Sequence, residues 1–382
     1  MSTGRGRARW AWIAGLVLLA LAAALAFQGR AGHLMHDFEV YRTAGIRALS
    51  GENLYRVEDG HWQFKYLPAF ALLIAPIAAL PVMAARGIWF FSSVALLVVL
   101  LNRSLRLLPD RRRAAAFLVC LTILALGKFY VREVGLGQSN LLLAVIVLFA
   151  VAALGARREG TAGTLLAIAA VVKPYAVIFL PYLVARRRTK AAAAFAVTLL
   201  VAVLFPALRY GFTGNAALLA GWWSTVTTST APNLVVADNI SIAGMCAKWL
   251  GVGASANLMA LGTGAVVLAA CAAVLMRKVQ VPFPEYLEAA VLLMLMPLLS
   301  PQGWDYVLLV STPAVMLLLD RLEEFRVPAR VVLAVCLALA GLTIWDVLGR
   351  ELYHLFMAAS VVTFCALIEV GMLLALRRRR VA

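Results

Sequence analysis

The sequence predicts an all-α polytopic membrane protein, and three observations carry that fold class. Hydrophobic residues fill 64% of the 382 positions, well above the level of a soluble domain. Uncharged apolar runs recur from end to end, as they do when helices repeatedly cross a hydrocarbon layer about 30 Å thick. The basic residues behind the net charge of +17 arrive as short clusters between those runs. That pattern belongs to cytoplasmic loops and anionic-lipid contact, and it argues against a nucleic-acid partner. One integrated domain over 1–382 is expected.

In chain order, candidate spans fall at about 10–28, 67–102, 114–130, 139–156, 161–185, 191–209, 255–276, 286–299, 303–319, 328–346 and 354–376. The first follows Arg5, Arg7 and Arg9 without a convincing cleavage site after it, so it reads as a retained anchor. The run 67–102 holds two apolar pieces separated by Pro81, yet must cross once in net terms; one piece is expected to be re-entrant. The run 161–185 begins and ends beside basic clusters and carries Lys173-Pro174 at its middle. It is expected to go in and return as two short helices meeting at a Lys-Pro tip. Placing the basic clusters at 5–9, 103–113, 156–158, 185–190, 277–278, 321–330 and the terminal arginines on the cytoplasmic side gives roughly 12 crossings of the cell membrane, with both termini inside.

This assignment leaves the long polar segments on the outer face: 29–66, 131–138 and 210–254, with tips at 173, 300–303 and 346–353. Long polar loops on a rigid scaffold carry function more often than short ones. Cys120, Cys271, Cys336 and Cys365 lie in apolar runs and only Cys246 in a polar one, so no disulfide framework is implied. There is no HExxH, no GxxxxGK, and the four histidines are scattered. A sugar nucleotide is therefore not the expected donor, and no metal site is assigned.

The first candidate for chemistry is Asp37, in the stretch His36-Asp37-Phe38-Glu39-Val40-Tyr41 just after the first span. A carboxylate at a membrane boundary is expensive to keep dry. If 37–50 is an interfacial helix, a turn of about 100° per residue puts Asp37, Tyr41, Ala44, Gly45, Ala48 and Leu49 on one face. Glu39 points the other way, toward Arg42 and Thr43. Asp37 is then either a base in an apolar cavity or a helix N-cap. Lys173 is the second candidate, a membrane-level cation that wants either a phosphate or an outer-face acid. Gln138-Ser139-Asn140 offers amides in a turn. Asn239 sits in APNLVVADNIS, which is placed to cap the helix of Lys248 and Trp249. Trp304 and Asp305 lie in LLSPQGWDY. Lys128, Arg132 and Arg209 lie at outer ends of spans, where such residues usually face lipid.

These pieces occur in a recognisable order: D-x-x-V-Y, ALSGENLY, FKYLPAFALLIAPIAALP, GLGQSNLLL, VVKPYAVIFLP, an Asn-bearing outer segment and LLSPQGWDYVLL. Over about 30–320 the chain resembles glycosyltransferase family 87, polyprenol-phosphate-mannose-dependent mannosyltransferases with the C-type membrane glycosyltransferase fold. The resemblance implies inverting transfer of a hexose, mannose by analogy, from a polyprenyl-phosphate carrier to a lipid or glycan acceptor on the outer face. Asp37 would be the general base, and Lys173 would hold the leaving phosphate. Further candidates for substrate contact are Gln138, Asn140, Glu39, Tyr41, Tyr66, Asn239, Trp304, Asp305 and Arg132. Family members often carry histidines where this chain has Asp305-Tyr306, which leaves the acceptor open. No cofactor is expected beyond the donor, and a divalent ion fits lone carboxylates as well as its absence does. The competing readings are a transporter or flippase of a lipid-linked glycan, which calls for paired halves with matching broken helices, and a non-catalytic scaffold.

Overall fold

The computed structural model describes residues 21–277 and 283–378. The basic cluster at 5–9 and most of the first expected span lie outside the described residues; 21–28 are helical. The described chain is helical throughout, apart from its connections and one isolated antiparallel bridge between Asn239 and Trp304.

Among the described residues, sixteen α-helices of seven or more residues follow in order. They are α1 (His36–Ser50), α2 (Pro68–Ala78), α3 (Val82–Leu107), α4 (Ala115–Leu136), α5 (Asn140–Gly155), α6 (Glu159–Val172), α7 (Phe179–Ala185) and α8 (Thr189–Leu204). The second half holds α9 (Ala207–Thr228), α10 (Ile242–Leu250), α11 (Ala254–Leu275), α12 (Pro284–Leu299), α13 (Thr312–Asp320), α14 (Val327–Leu342), α15 (Trp345–Ala358) and α16 (Val361–Arg378). Local chemistry sets many of the ends. Pro68 opens α2 at its first position, where a missing N–H is harmless. Pro81 caps α3, so the run 67–102 resolves into a short helix and a long one. Ser241 caps α10, its Oγ accepting from the Gly244 N–H at 2.8 Å.

Among the described residues, α3, α4 and α11 are each long and apolar enough to cross a membrane. The bent pairs α8–α9 (90°) and α14–α15 (101°) bring the number to five if each is one span. The expectation of roughly 12 crossings exceeds this because the other apolar helices are short. The α12 helix has 16 residues and is buried along almost its whole length, so protein and not lipid sets how long it must be. The right-angle turns also end the runs expected at 191–209 and 328–346 early, at Leu204 and Leu342, and lay α9 and α15 across the preceding helices.

Some of the basic clusters meet: residues 112–113 lie against 320–324, and Arg186, Arg277 and Arg377 lie together, with acids inside the bundle anchoring both groups. The Asp320 carboxylate caps the backbone N–H groups of Arg112 and Arg113 at 2.9 Å each. Glu288 is fully buried and binds Arg186 at 3.2 Å and Arg377 at 3.0 Å. Helix direction carries α5, α6 and α12 between this end and the opposite one, where Gln138, Lys173 and the 300–305 tip gather.

That tip is pinned by backbone and by Asn239. Ile240 N–H donates to Gly303 O at 2.7 Å, and Asp305 N–H to Asp238 O at 2.9 Å. The buried Asn239 amide donates to Asn233 O and Pro301 O at 2.9 and 2.8 Å, and its Oδ1 accepts from Ser241 N–H at 2.9 Å. Gly303 is required here, since a Cβ would lie 1.9 Å from Pro297 O. Gly303→Ala must therefore move backbone, and it is expected to destabilise by at least the ~1–3 kcal/mol of ordinary overpacking. Thermal unfolding in detergent measures this; a wild-type melting temperature would contradict it.

Candidate active site

Three chain breaks bring the polar residues together. Lys173 precedes Pro174, which pushes it out of the helical region; its φ and ψ are −143° and 111°, α6 stops at Val172, and a 3₁₀ turn Pro174–Ile178 leads into α7. This is the expected Lys-Pro tip. Gln138 follows Gly137, which ends α4 at φ 71° and packs so closely that a Cβ would lie 2.7 Å from Phe38 Cβ. Glycine is therefore needed twice over, for the left-handed turn and for the approach to α1. Trp89 Nε1–H holds the same turn by donating to Gly137 O at 2.8 Å. Lys65 and Tyr66 come from the strap before α2.

The side chains converge on the Gln138 amide. Its Oε1 accepts from Tyr41 Oη at 2.8 Å and Lys173 Nζ at 2.9 Å, and its Nε2 donates to Tyr306 Oη at 3.1 Å. Lys173 Nζ also donates to Tyr66 Oη at 2.8 Å and lies 4.6 Å from that ring's centroid. Tyr66 and Tyr41 share a 2.7 Å hydrogen bond. Lys173 is buried, and among the described residues it forms no ion pair, so the outer-face acid weighed as its partner is not there.

Beside this network is a cavity of about 270 Å³. Lys65, Tyr66, Gln138, Lys173, Trp222 and Trp304 are among the residues that line it, with no carboxylate among the described lining residues. Lys65 Nζ donates to Gln302 Oε1 at 3.1 Å, and Trp222 Nε1–H donates to Lys65 O at 3.2 Å. Burial pulls the Lys65 ammonium below its usual range, and the charge of Asp37 pulls it back. Sequence reasoning missed Lys65 and Trp222. The signal for Lys65 was present in FKYLP, a cation among aromatics shortly before a proline, as at Lys173.

Asp37 is at the second position of α1, half-buried and next to the cavity. Met35 is the N-cap and no side chain caps the helix, which removes the cap reading of Asp37. Tyr41, Ala44, Gly45 and Ala48 are buried as the shared face required, whereas Leu49 is 48% exposed. Burial raises the Asp37 carboxyl above its ordinary value; the Gln138 amide, Lys173, His36 and His61 pull it back down.

Several other sequence candidates are held by protein partners. Asn140 is bound by the buried Glu133, whose carboxylate accepts from Asn140 N–H, Asn140 Nδ2 and Leu141 N–H at 2.6, 2.8 and 3.0 Å. Glu133 thus caps α5 from the preceding helix, and Tyr175 Oη occupies Asn140 Oδ1 at 2.7 Å. Asp305 is buried against Arg132 at 2.6 Å and Lys128 at 3.7 Å, and Arg132 also binds Asp238 at 2.8 Å. Arg209 donates to the carbonyls of Ala48 and Leu49. The head groups of these three basic residues all bind protein, although Arg209 stays exposed. Glu39 pairs with Arg42, as expected, and with Arg86, both at 3.1 Å. Among the described residues, no group of three or more His, Cys, Asp or Glu is placed to hold a metal ion.

An all-helical apolar body, with a cationic, aromatic cavity among its described residues, has the character of a membrane protein with a polar site at one end of its bundle. The model of glycosyltransferase family 87 matches residues 64–301, more than half of the chain, and the protein belongs to that family: it is a glycosyltransferase. The match contains Lys65, Gln138, Lys173 and Trp222; Asp37 and the Trp304–Tyr306 tip flank it on either side. No curated protein and no solved structure matches the chain.

A carboxyl whose folded-state pKa is raised binds its proton more tightly in the native state. That contribution is present below the ordinary value of 3.8 and is lost as pH rises through the raised one. At neutral pH the ionised Asp37 therefore weighs against folding. Asp37→Asn is expected to melt at the wild-type temperature or higher at pH 7, with the difference shrinking on acidification. A clear drop at pH 7 would contradict the burial account.

Proposed function

We propose that the enzyme moves a hexose, mannose by the family resemblance, from a polyprenyl-phosphate carrier to a hydroxyl of a lipid or glycan acceptor. The reaction takes place at the extracytoplasmic face of the cell membrane, in a C-type fold of roughly 12 crossings with both termini inside. The observation that carries this reading is the pair of lysines in a cavity with no acid among its described lining residues, together with Asp37, which interacts with the lining residues Gln138 and Lys173. A phosphate is the anion that two partly dehydrated ammonium groups would hold best, and Trp222 and Trp304 offer an apolar wall for the first carbons of a prenyl chain.

In this mechanism the acceptor hydroxyl gives its proton to Asp37 while its oxygen attacks the anomeric carbon from the face opposite the phosphate. The bond from that carbon to the phosphate oxygen breaks, and the departing charge falls on Lys173 and Lys65. Such preformed charge near a leaving group is worth most in a site that excludes water. The raised Asp37 pKa suits a base, because a carboxylate held above its ordinary range takes a proton more readily. Tyr41 and Tyr66 keep Lys173 in place by accepting and relaying hydrogen bonds around Gln138.

Transfer of label from a polyprenyl-phosphate hexose in membranes tests the proposal. Asp37→Asn is expected to lose about 10²–10⁴ of the rate. Lys173→Ala and Lys65→Ala are expected to raise the donor KM, each by about 10- to 100-fold, the worth of a charge-assisted hydrogen bond. Wild-type turnover by Asp37→Asn would remove it as the base. In the pH profile, the acidic limb of kcat/KM is expected above 3.8. Lys173→Met is expected to move that limb further up, since the positive charge it removes holds the carboxyl down; an unmoved limb would contradict the assignment.

A further inference from the structure

Each ammonium group of the lysine cavity rests on the amide oxygen of a glutamine. Gln138 serves Lys173 in this way, and Gln302 serves Lys65, whose Nζ donates to Gln302 Oε1 at 3.1 Å. Both glutamines line the cavity. The Gln302 amide is oriented from both ends. An ammonium has only hydrogens to give, so the amide must turn its oxygen to Lys65. At the other end Nε2 donates to Ser229 Oγ and Thr230 Oγ1, each at 3.2 Å. Thr230 gives its own hydrogen to Val226 O at 2.7 Å, so toward Gln302 it can only accept.

The backbone around these contacts is held as well. Pro301 O accepts from Asn239 Nδ2 at 2.8 Å and Gly303 O from Ile240 N–H at 2.7 Å, which fixes both neighbours of Gln302. Lys65 O accepts from Trp222 Nε1–H at 3.2 Å. The strap before α2, the segment just after α9 and the 300–303 tip thus meet at one side chain. A binding group keeps its geometry only on a support of this kind. The support carries no charge, and that matters for the lysine. A carboxylate at 302 would hold Lys65 more tightly but would compete with any entering anion for it. The amide has nearly the same shape and does not.

We propose that Gln302 is a positioning residue of the donor site, its amide oxygen aiming the Lys65 ammonium at the cavity and leaving the charge unpaired for the phosphate. The inference rests on the donor reading of the cavity and adds a residue that acts through Lys65. Two substitutions of similar size pull the lysine in opposite directions. Gln302→Glu sets a negative charge against the ammonium and favours its protonated form, whereas Gln302→Met removes a hydrogen bond to that form and disfavours it. The other titratable groups around Lys65 are the same in both variants. They are Asp37, acting from α1, and Lys173, Tyr66, Tyr175 and Tyr306 around the cavity; Trp222 from α9 is uncharged. A mere loss of packing at the tip would not split the two variants.

The test reads Lys65 and the donor separately, in the full-length enzyme in nanodiscs. Competitive acetylation with trace acetic anhydride, followed by peptide mass spectrometry, gives the pH at which Lys65 becomes reactive. The wild-type midpoint is expected below the usual lysine value of 10.5, with Gln302→Glu above the wild type and Gln302→Met below it. Transfer from a labelled polyprenyl-phosphate hexose gives the second reading. Gln302→Glu is expected to raise the donor KM about tenfold or more, as one hydrogen bond to a charged group would, with the acceptor KM unmoved. Gln302→Met is expected to raise the donor KM mainly on the alkaline side, where its lysine loses the proton earlier. Midpoints that coincide in all three proteins, or that move the same way in both variants, would overturn the proposal. Midpoints that split as expected beside an unchanged donor KM, or beside a wild type that transfers no label, keep Gln302 as the support of Lys65 and overturn the donor reading instead.

Discussion

The ammonium of Lys173 is buried at one end of the helix bundle, its direct partners among the described residues being neutral oxygens, and the surrounding structure is arranged to make that tolerable. A dehydrated cation needs compensation, and the compensation here is a carbonyl oxygen from Gln138, a phenol from Tyr66 and the nearby charge of Asp37. Each of these arrives from a different part of the chain. Gln138 depends on the left-handed turn at Gly137, Tyr66 on the strap before α2, Asp37 on the start of α1. A full ion pair would have held the lysine more tightly but would also have used up its charge. Leaving it bound to neutral groups keeps that charge available to the adjoining cavity, as the proposed phosphate site requires.

The neighbouring Arg132–Asp305–Asp238 cluster shows the opposite choice. There the charges are matched among themselves, Arg132 bridging two acids and Lys128 adding a second cation to Asp305. Groups satisfied in this way hold α4 to the 300–305 tip and to the segment before α10. Two cationic groups on adjacent helical ends thus have different destinies, and their partners decide which. The same reasoning separates Asn140 and Asn239, whose amides are consumed by the scaffold, from Gln138, whose amide faces the cavity.

Much of this was legible in the chain itself. The break at Lys173 follows from Pro174, the burial of one α1 face follows from its spacing, and the pairing of Glu39 with Arg42 follows from their separation of three residues. What escaped the sequence is long-range. Nothing local marks Asp305 as the partner of Arg132, 173 positions away, or sets Lys65 opposite Lys173 across a cavity. The crossing count also outran the helices, because hydropathy cannot tell a run buried in protein, such as α12, from one bathed in lipid. Right-angle turns at 204–207 and 342–345 likewise leave no strong composition signal. The family match begins at residue 64 and so covers the lysines without α1; the candidate base rests on its own geometry.

The most direct test of this account is a structure of the full-length enzyme in nanodiscs with a polyprenyl phosphate bound. The account predicts phosphate oxygens about 3 Å from both Lys173 Nζ and Lys65 Nζ, with the prenyl chain leaving past Trp222. A phosphate bound elsewhere, with Lys173 still held only by Tyr66 and Gln138, would contradict it.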